Sequence, residues 1–296
     1  MSRILNYKIE EEYDGRRAGS YLRGRLGFSA RVLKDLKNSP GGILLDGSPI
    51  RTIDPLRAGS VLSLSLPGES PDIEPLEYPL DVVFEDEDIL VVNKSAGLAM
   101  HPTHNHQGDT LANAVAWYLA GSGRGGVFRS VGRLDKGTSG LVICALNRYA
   151  ASRLTDAMLA KSIKKTYLAA AGGYFDGGGT IDAPIYRPDP MKTIRRAGIN
   201  PDGPEGERAV THWKALISGK GASLLSVSPE TGRTHQIRVH FAYLGAPLLG
   251  DDMYGGDCSL ITRPALHCGR IQFPHPVTGA VMELAQEMPE DMQRIF

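Results

Sequence analysis

The chain has 296 residues, of which 42% are hydrophobic and 22% charged, and this composition excludes wholesale disorder because it supplies enough apolar material for a core. Its 33 Lys and Arg residues balance 33 Asp and Glu residues, which excludes a chain-wide basic character of the kind found in histone-like binders. No stretch approaches the roughly 20 apolar residues of a membrane span, and the N-terminus lacks the long apolar region of a secretory signal.

Charge is segregated along the first third of the chain. Residues 14–66 contain nine basic and four acidic residues, whereas residues 67–88 contain nine acidic residues and no basic one. Four prolines interrupt the acidic stretch, which disfavours regular structure there. We therefore predict a small basic module at 1–68, an acidic proline-rich linker at 69–80, and a large domain at 81–296.

The basic module begins with two predicted helices. Ser20 is expected to cap the first, which runs through Leu22 and Leu26 and ends at Gly27. Ser29 is expected to cap the second helix. The apolar face of the second helix is formed by three residues, Val32, Leu33 and Leu36.

Three cations, Arg31, Lys34 and Lys37, recur every third residue and share the opposite face of the second helix. Such a face is either a solvated surface or a patch that follows RNA phosphates. Strands are predicted next at Ile43–Leu45 and, with alternating leucines, at Val61–Leu66. Over about fifty residues this order resembles the small RNA-binding module named after ribosomal protein S-four, although Arg-Ala-Gly stands at 17–19 where that family commonly has Arg-Leu-Asp.

Three segments of the large domain combine buried strands with polar loops. The first, DILVVNK at 88–94, reads as the strand Ile89–Val92 followed by Lys94. The second, GRLDKGTSGL at 132–141, places Arg133 and Asp135 on a glycine-rich loop that leads into an apolar strand over 141–145. A loop held by a buried strand is a common way to present reactive side chains.

The third segment, GRTHQIRVH at 232–240, follows a strand in which Ser223, Leu225 and Val227 alternate with their neighbours. A turn at Thr231-Gly232 leads into a helix ended by Gly245. We expect Ile237, Phe241 and Leu244 to face the core. Arg238 then lies at the margin of the core, where a cation requires an anionic partner.

Asp135 is the one carboxylate of the GRLDKGTSGL motif. A carboxylate kept ionised by an arginine suits covalent or electrostatic action at a developing cation, as in cleavage of a glycosidic bond. Glycosidases normally use two carboxylates, and no second acid accompanies Asp135 in its motif. The alternative is that Asp135 only caps its loop by hydrogen bonding to the backbone.

Together, DILVVNK with the following His101-Pro102 pair, GRLDKGTSGL, KKTYLA, GRTHQIRVH and GAPLLGD resemble the pseudouridine synthases of the RluA/RluD type. The similarity extends from Asp81 to Phe296. It implies an α+β fold with a mixed, largely antiparallel sheet, flanking helices and a central cleft. It also implies isomerisation of uridine in RNA, in which the base is detached, rotated and rejoined through carbon five without metal or organic cofactor.

The resemblance also implies roles for four residues. Asp135 is the catalytic carboxylate, and Arg238 pairs with it. Tyr167, in KKTYLA, contacts the flipped uracil and is a candidate to remove the proton from carbon five. Arg133 fills the space that the flipped nucleotide leaves in the RNA stack. The family usually has histidine before Arg-Leu-Asp, and Gly132 stands there in this chain.

Other motifs favour less specific interpretations. The GxGxxG pattern at 121–126 follows a helix instead of a strand and opens no helix, so a nucleotide-binding role is disfavoured. His101, His104 and His106 have no acid or cysteine cluster beside them, so we expect no metal site. His235 and His240 are expected to form structural hydrogen bonds, and Lys94 either reaches the RNA backbone or forms an ion pair.

We expect an RNA-modifying enzyme whose substrate is structured RNA. Large-subunit ribosomal RNA is favoured because relatives with a basic N-terminal module act on it, and transfer RNA is the alternative. A non-catalytic RNA-binding factor, to which Gly132 points, and a hydrolytic nucleosidase are the other classes. The cysteines Cys144, Cys258 and Cys268 show no paired spacing, which predicts reduced thiols in a cytoplasmic protein. The target uridine, the chemical step made by Asp135 and the oligomeric state are left open.

Overall fold

The computed structural model describes residues 3–69, 73–102, 108–123, 127–201, 203–219 and 221–296. The described residues form two main sheets, each with its own hydrophobic core. No helix among them is long and apolar enough to cross a membrane.

The N-terminal part is a four-stranded antiparallel sheet covered by two helices. Its elements are β1 (Arg3–Lys8), α1 (Ala18–Gly24), α2 (Ala30–Asn38), β2 (Ile43–Leu45), β3 (Ser48–Pro49) and β4 (Val61–Leu66). The strand order is β1-β4-β2-β3, so the first strand of the chain pairs with the last strand of the module. The alternating leucines of β4 (Leu62, Leu64 and Leu66) are buried as predicted.

The two helices of the module begin differently. The Ser29 hydroxyl accepts a hydrogen bond from the Val32 amide at 3.4 Å, as predicted for α2. The prediction that Ser20 caps α1 is wrong, because the helix begins two residues earlier, at Ala18. The amides of Ala18 and Gly19 donate to carbonyls of the 52–54 turn, at 2.9 and 2.7 Å, so the helix start needs no capping side chain.

The described residues of the second part form the remaining twelve strands and four α-helices. In chain order these are β5 (Asp81–Glu85), β6 (Ile89–Lys94), α3 (Leu111–Gly121), β7 (Arg129–Ser130), β8 (Ser139–Ala145), α4 (Arg148–Leu159), β9 (Lys164–Gly172), β10 (Gly178–Asp182), β11 (Ile185–Tyr186), β12 (Arg196–Ala197), β13 (Val210–Ile217), β14 (Ala222–Pro229), α5 (Gln236–Tyr243), β15 (Leu266–Pro274), β16 (Val281–Ala285) and α6 (Glu290–Gln293). The strands predicted from apolar runs at 89–92 and 141–145 are present and slightly longer.

Ten of these strands form one sheet, in the order β10-β13-β14-β9-β15-β8-β6-β5, with β16 beside β15 and β7 beside β8. Among the described strands of this sheet, β15 and β8 are the one parallel pair. At that pairing Gly140 adopts a φ of +114°, and a Cβ atom on it would overlap the Cys268 backbone. The expected α+β architecture with a mixed, largely antiparallel sheet is confirmed.

The basic module packs directly against the beginning of α4. The Tyr149 hydroxyl donates to the Leu26 carbonyl at 2.8 Å, and its ring stacks on Phe28 with centroids 4.2 Å apart. Arg3 of β1 binds Asp88 with two hydrogen bonds, and Arg148 pairs with Asp35 of α2. Buried aromatic contacts and ion pairs therefore hold the module on the large sheet.

Candidate active site

One cleft collects side chains from three separate elements of the large sheet. Asp135 lies on the loop between β7 and β8, Tyr167 on β9, and Arg238 on α5. Residues 231–237, which form the turn before α5 and the first two residues of that helix, also line the cleft. The cleft thus brings together three residues that are far apart along the chain.

The Asp135 loop is fixed by backbone hydrogen bonds. The Thr138 amide donates to the Asp135 carbonyl at 3.0 Å, and the Gly97 amide donates to the Lys136 carbonyl at 2.8 Å. The Asp135 side chain is 16% exposed. Its carboxylate therefore meets the cleft from a rigid support.

Arg238 contacts two carboxylates. It donates two hydrogen bonds to Asp251, both at 2.7 Å, and its Nη1 lies 3.5 Å from Asp135 Oδ2. Burial disfavours its charge, but the hydrogen bonds and charge of Asp251 prevail and raise the pKa of Arg238 above its ordinary value. The arginine is therefore a permanent cation that stands between two acids.

The sequence motifs do not identify Asp251 as a partner of Arg238. It follows the buried pair Leu248-Leu249 and the glycine Gly250, and its side chain is fully buried. The sequence prediction gave Arg238 only Asp135 as a partner, and this is incomplete because the closer, two-bond contact is with Asp251. An acid directly after a short apolar run was the available signal, since a buried carboxylate needs a cation.

Tyr167 is buried and points toward the same cleft. Burial raises the pKa of its phenol well above the ordinary value, and the neighbouring Cys268 and Asp135 act in the same direction. Tyr167 pairs in register with Val227 on one side and Cys268 on the other. It is consequently a neutral phenol at physiological pH, held in place by the centre of the sheet.

Arg133 lies at the exposed rim of the cleft, directly after Gly132. Gly132 has a φ of +75°, a conformation that favours glycine. A Cβ atom at this position would lie 3.4 Å from Lys165 Nζ and 3.9 Å from Met158 Sδ. The Lys165 ammonium thus borders the space into which a family histidine would project.

Lys94 lies beneath the loop and does neither of the things expected of it. Its Nζ donates to the carbonyls of Leu98, Ser95 and Lys136, at 2.8, 2.9 and 3.3 Å. The side chain is buried, so it does not reach into the cleft, and it forms no ion pair with an acid among the described residues. Burial lowers its pKa to about 7, while the charge of Asp135 acts in the opposite direction.

The two histidines of the third motif have different surroundings. His240 is buried between the Thr211 hydroxyl and the Ala183 carbonyl, which agrees with a structural role. His235 lines the cleft in a left-handed conformation, with its Nδ1 2.9 Å from the Tyr254 hydroxyl. Burial lowers the pKa of His235, and the Tyr254 ring lies 5.1 Å from the Arg238 guanidinium.

The remaining candidates lie away from the cleft. Arg31, Lys34 and Lys37 are exposed on α2 and are not among the residues that line it. Leu244 is 46% exposed, so its expected place in the core is wrong, because α5 has already ended where the side chain would turn inward. Ile237 and Phe241 are buried as predicted.

The histidine-rich turn and the glycine-rich loop are only partly described. His101 contacts the Ser130 hydroxyl at 2.9 Å, while His104, His106 and residues 124–126 lie outside the described residues. Elsewhere, the carboxylate oxygens of Asp86 and Asp88 and a ring nitrogen of His275 lie within 4.8 Å of one another. Asp86 binds His275, and Asp88 binds Arg3 and Asn147, so these groups already satisfy one another.

Asp135, Tyr167 and Arg238 lie in a part of the chain that matches a known protein family. Residues 88–243 match the family model described as RNA pseudouridylate synthase. The RNA pseudouridine synthase YhcT of Bacillus subtilis is 37% identical over 99% of this chain and 96% of its own. The ribosomal large subunit pseudouridine synthase D of Zymomonas mobilis is 38% identical over 88% of this chain and 84% of its own. The solved structure of human RNA pseudouridylate synthase domain containing 1 has a TM-score of 0.60 and 26% identity, covering 73% of this chain and 86% of that one.

Proposed function

This chain belongs to the RNA pseudouridylate synthase family, and from that premise we propose which residues carry its reaction and which RNA it takes. The protein is an enzyme that isomerises uridine to pseudouridine in RNA, and not the non-catalytic RNA-binding factor that Gly132 left open. The reaction breaks the bond from the ribose to N1 and forms one to carbon five. A proton leaves carbon five and N1 gains one, so no atom is added.

We propose Asp135 as the catalytic carboxylate. The observation that carries this proposal is the pairing of its carboxylate, at the wall of the cleft, with the buried cation Arg238. The Arg238 cation lies 3.5 Å from this carboxylate and compensates its negative charge. Attack on the ribose or base, or removal of a ribose proton, would each use that carboxylate. Asp251 holds the other edge of the guanidinium and thereby fixes its orientation.

Tyr167 is proposed to contact the flipped uracil, and Arg133 to fill the space that the flipped nucleotide leaves in the RNA. A neutral buried phenol presents an apolar ring to a uracil and an O–H to a polar edge. Removal of the carbon-five proton by Tyr167 would need a nearby group to accept the phenol proton, because burial opposes the phenolate. Arg133, exposed at the rim, is placed to enter the gap that flipping leaves in the RNA.

The proposed substrate is large-subunit ribosomal RNA. The proposal is supported by the relative from Zymomonas mobilis, whose name states that substrate, and by the basic module at 1–68. Within that module Arg31, Lys34 and Lys37 present an exposed cationic face that suits phosphates. The three free cysteines support the cytoplasm as the proposed location.

The test is release of tritium from RNA labelled at carbon five of uridine. We expect the wild-type enzyme to release tritium from a large-subunit ribosomal RNA transcript, and Asp135→Asn to be slower by at least about 10³-fold. Asp156→Asn, an exposed acid on α4, serves as the control and should retain the wild-type rate.

Three outcomes would contradict different parts of the proposal. A near-wild-type rate for Asp135→Asn would refute the role of the carboxylate. Release from transfer RNA alone would refute the ribosomal substrate and leave the chemistry intact. Free uracil with abasic RNA would identify the hydrolytic alternative, since isomerisation leaves the mass of the RNA unchanged.

A further inference from the structure

A second cavity adjoins the cleft. It encloses about 380 Å³, within the range of pockets that hold small ligands, and shares Arg233 and Thr234 with the wall of the cleft. Its other lining residues belong to β11 and the loop that joins it to β12 (Ile185, Tyr186, Arg187 and Arg195) and to the segment that follows (Asn200 and residues 204–207). We call this cavity the flanking hollow.

The flanking hollow is held open by its own backbone. Two of its lining residues, Ile185 and Glu207, exchange two amide-to-carbonyl hydrogen bonds, at 2.9 and 2.8 Å. Asn200 donates from its side chain to the Pro204 carbonyl at 3.0 Å and closes the loop on itself. These contacts are local and need no ligand, so the cavity is a feature of the folded chain.

Its side chains combine an aromatic ring with oriented cations. Tyr186 is half-buried, and it alternates with the buried Ile185 on β11. Arg187 donates from Nε to the Lys192 carbonyl at 2.7 Å, and Arg195 donates from Nη1 to the Thr193 carbonyl at the same distance. Each guanidinium carries five N–H donors, so both retain donors for a further partner.

The acids of the wall do not cancel these cations. Glu207 is paired with Arg233, and Glu205 is the one other acid among the described residues that line the hollow with Arg187 and Arg195. A planar aromatic surface beside cations is the combination by which proteins bind single-stranded nucleotides, through base stacking and phosphate contact. A dry apolar ligand would find too many charged groups here.

The flanking hollow is also connected to Arg238 through hydrogen bonds and a ring contact. The Arg195 amide donates to the Tyr254 hydroxyl at 3.0 Å, and the same hydroxyl contacts His235. The Tyr254 ring in turn lies beside Arg238. An occupant of the hollow would therefore sit next to the machinery that surrounds the flipped base.

We propose that the flanking hollow binds the nucleotide next to the target uridine in the RNA strand, with its base stacked on Tyr186 and its phosphate on Arg187. This inference rests on the proposed function, because a strand that delivers one nucleotide to the cleft must pass its neighbour along the shared wall. It assigns to the hairpin of β11 and β12 the recognition of an unpaired residue.

Binding of a fluorescent single-stranded oligouridylate tests the hollow without knowledge of the natural target. We expect Tyr186→Ala to weaken binding by roughly 5- to 100-fold, the range for one base–aromatic stack. Tyr186→Phe keeps the ring and should bind as wild type. Tyr174→Ala, at an exposed tyrosine beyond the far end of β9, is the matched control and should have no effect.

The phosphate contact has its own measurement. Arg187→Gln should reduce the slope of log affinity against log salt by about 0.7, the value for one single-strand phosphate. Arg294→Gln, an exposed arginine on the C-terminal segment, should leave the slope unchanged. An unchanged slope for Arg187→Gln would refute the proposed contact between Arg187 and the phosphate.

A crosslink on the unaltered enzyme protects the test from misfolded variants. An oligouridylate that contains 4-thiouridine should crosslink, under ultraviolet light, to a peptide containing Tyr186. Equal affinity of Tyr186→Ala and Tyr174→Ala, or absence of this peptide among the crosslinks, would overturn the proposal. Tritium release by wild type, measured separately on ribosomal RNA, reports on the proposed function, so the two failures are distinguishable.

Discussion

The active-site cleft and the exposed face of α2 both use cations, in opposite settings. Arg238 is 6% exposed and is held by two carboxylates, whereas Arg31, Lys34 and Lys37 are exposed and make no ion pair with any described residue. A buried charge is tolerated only where partners fix its position. A solvated charge has no fixed position, and only the sum of such charges matters to a polyanion.

The comparison shows that a buried charge acts through its fixed position, whereas solvated charges act through how many there are. In the cleft, removal of one partner should disturb folding and chemistry together, because the remaining ion is left in a low-dielectric setting. On α2, removal of a cation should alter only the attraction of RNA. Four variants, taken from the largest expected effect on folding to the smallest, break or sharpen this contrast.

The largest effect is expected from Asp251→Asn. Arg238 would lose its two-bond partner and keep only the 3.5 Å contact with Asp135. We expect the free energy of unfolding, measured in urea, to fall by about 3–5 kcal/mol, together with a loss of tritium release. The control is Asp291→Asn, whose carboxylate accepts two bonds of the same 2.7 Å length from Arg263 but is 47% exposed, and this substitution should cost no more than about 1 kcal/mol. Equal losses would contradict the contrast.

Tyr149→Phe tests whether the basic module, which carries α2, is held on the large sheet by the hydrogen bond from Tyr149. The variant removes the buried hydrogen bond to the Leu26 carbonyl and leaves that acceptor unsatisfied. We expect the free energy of unfolding to fall by about 1–3 kcal/mol in urea, with earlier proteolytic release of the module. Tyr174→Phe, at an exposed position, should be neutral. Unchanged stability would mean that the module does not depend on this contact.

Lys94 is a buried amine, and its expected effect depends on pH. Its pKa in the folded chain is about 7, below the ordinary value of 10.5, so between these pH values the unfolded chain binds more protons. Stability should therefore rise as pH increases from 7 toward 10, by up to about 1.4 kcal/mol per pH unit from this site. Thermal melts should show that Lys94→Met loses this rise and that Lys192→Met, at an exposed site, keeps it. A slope shared by all three proteins would refute the assignment.

The smallest effect on folding is expected from replacing Arg31, Lys34 and Lys37 together by glutamine. The free energy of unfolding should change by no more than about 0.5 kcal/mol. RNA affinity should fall, and its salt slope should decrease by about 0.9 for each duplex phosphate that the module no longer neutralises. Filter binding measures both, with Arg51→Gln as the control because Arg51 is already paired with Asp54. A lower rate at saturating RNA would contradict a purely electrostatic role.

Local signals in the sequence predicted local structure well. Ser29 caps α2 because the cap needs only an amide three residues away. The alternating leucines of β4 are buried because strand periodicity is a property of the segment itself. The start of α1 was mispredicted because its amides bond to the distant 52–54 turn, which no local pattern marks.

The site was predictable only in part for the same reason. Family resemblance, not spacing, indicated that Asp135, Tyr167 and Arg238 belong to one site. The partnership of Arg238 with Asp251 and the carbonyl ligands of Lys94 depend on how α5, the 3-10 turn at Asp252–Tyr254 and the loop after β6 pack. The pairing of β1 with β4, which no sequence pattern predicted, joins residues more than fifty positions apart and depends on loop closure.

Gly140 affects the active site through the backbone, although it does not line the cleft. Its missing methyl group lets the backbones of β8 and β15 lie against each other. Asp135 precedes this glycine by five residues, and Tyr167 is registered with Cys268 on the opposite edge of β15. The distance between Asp135 and Tyr167 therefore depends on the close backbone contact between β8 and β15. Even alanine at position 140 would force these backbones apart and increase that distance.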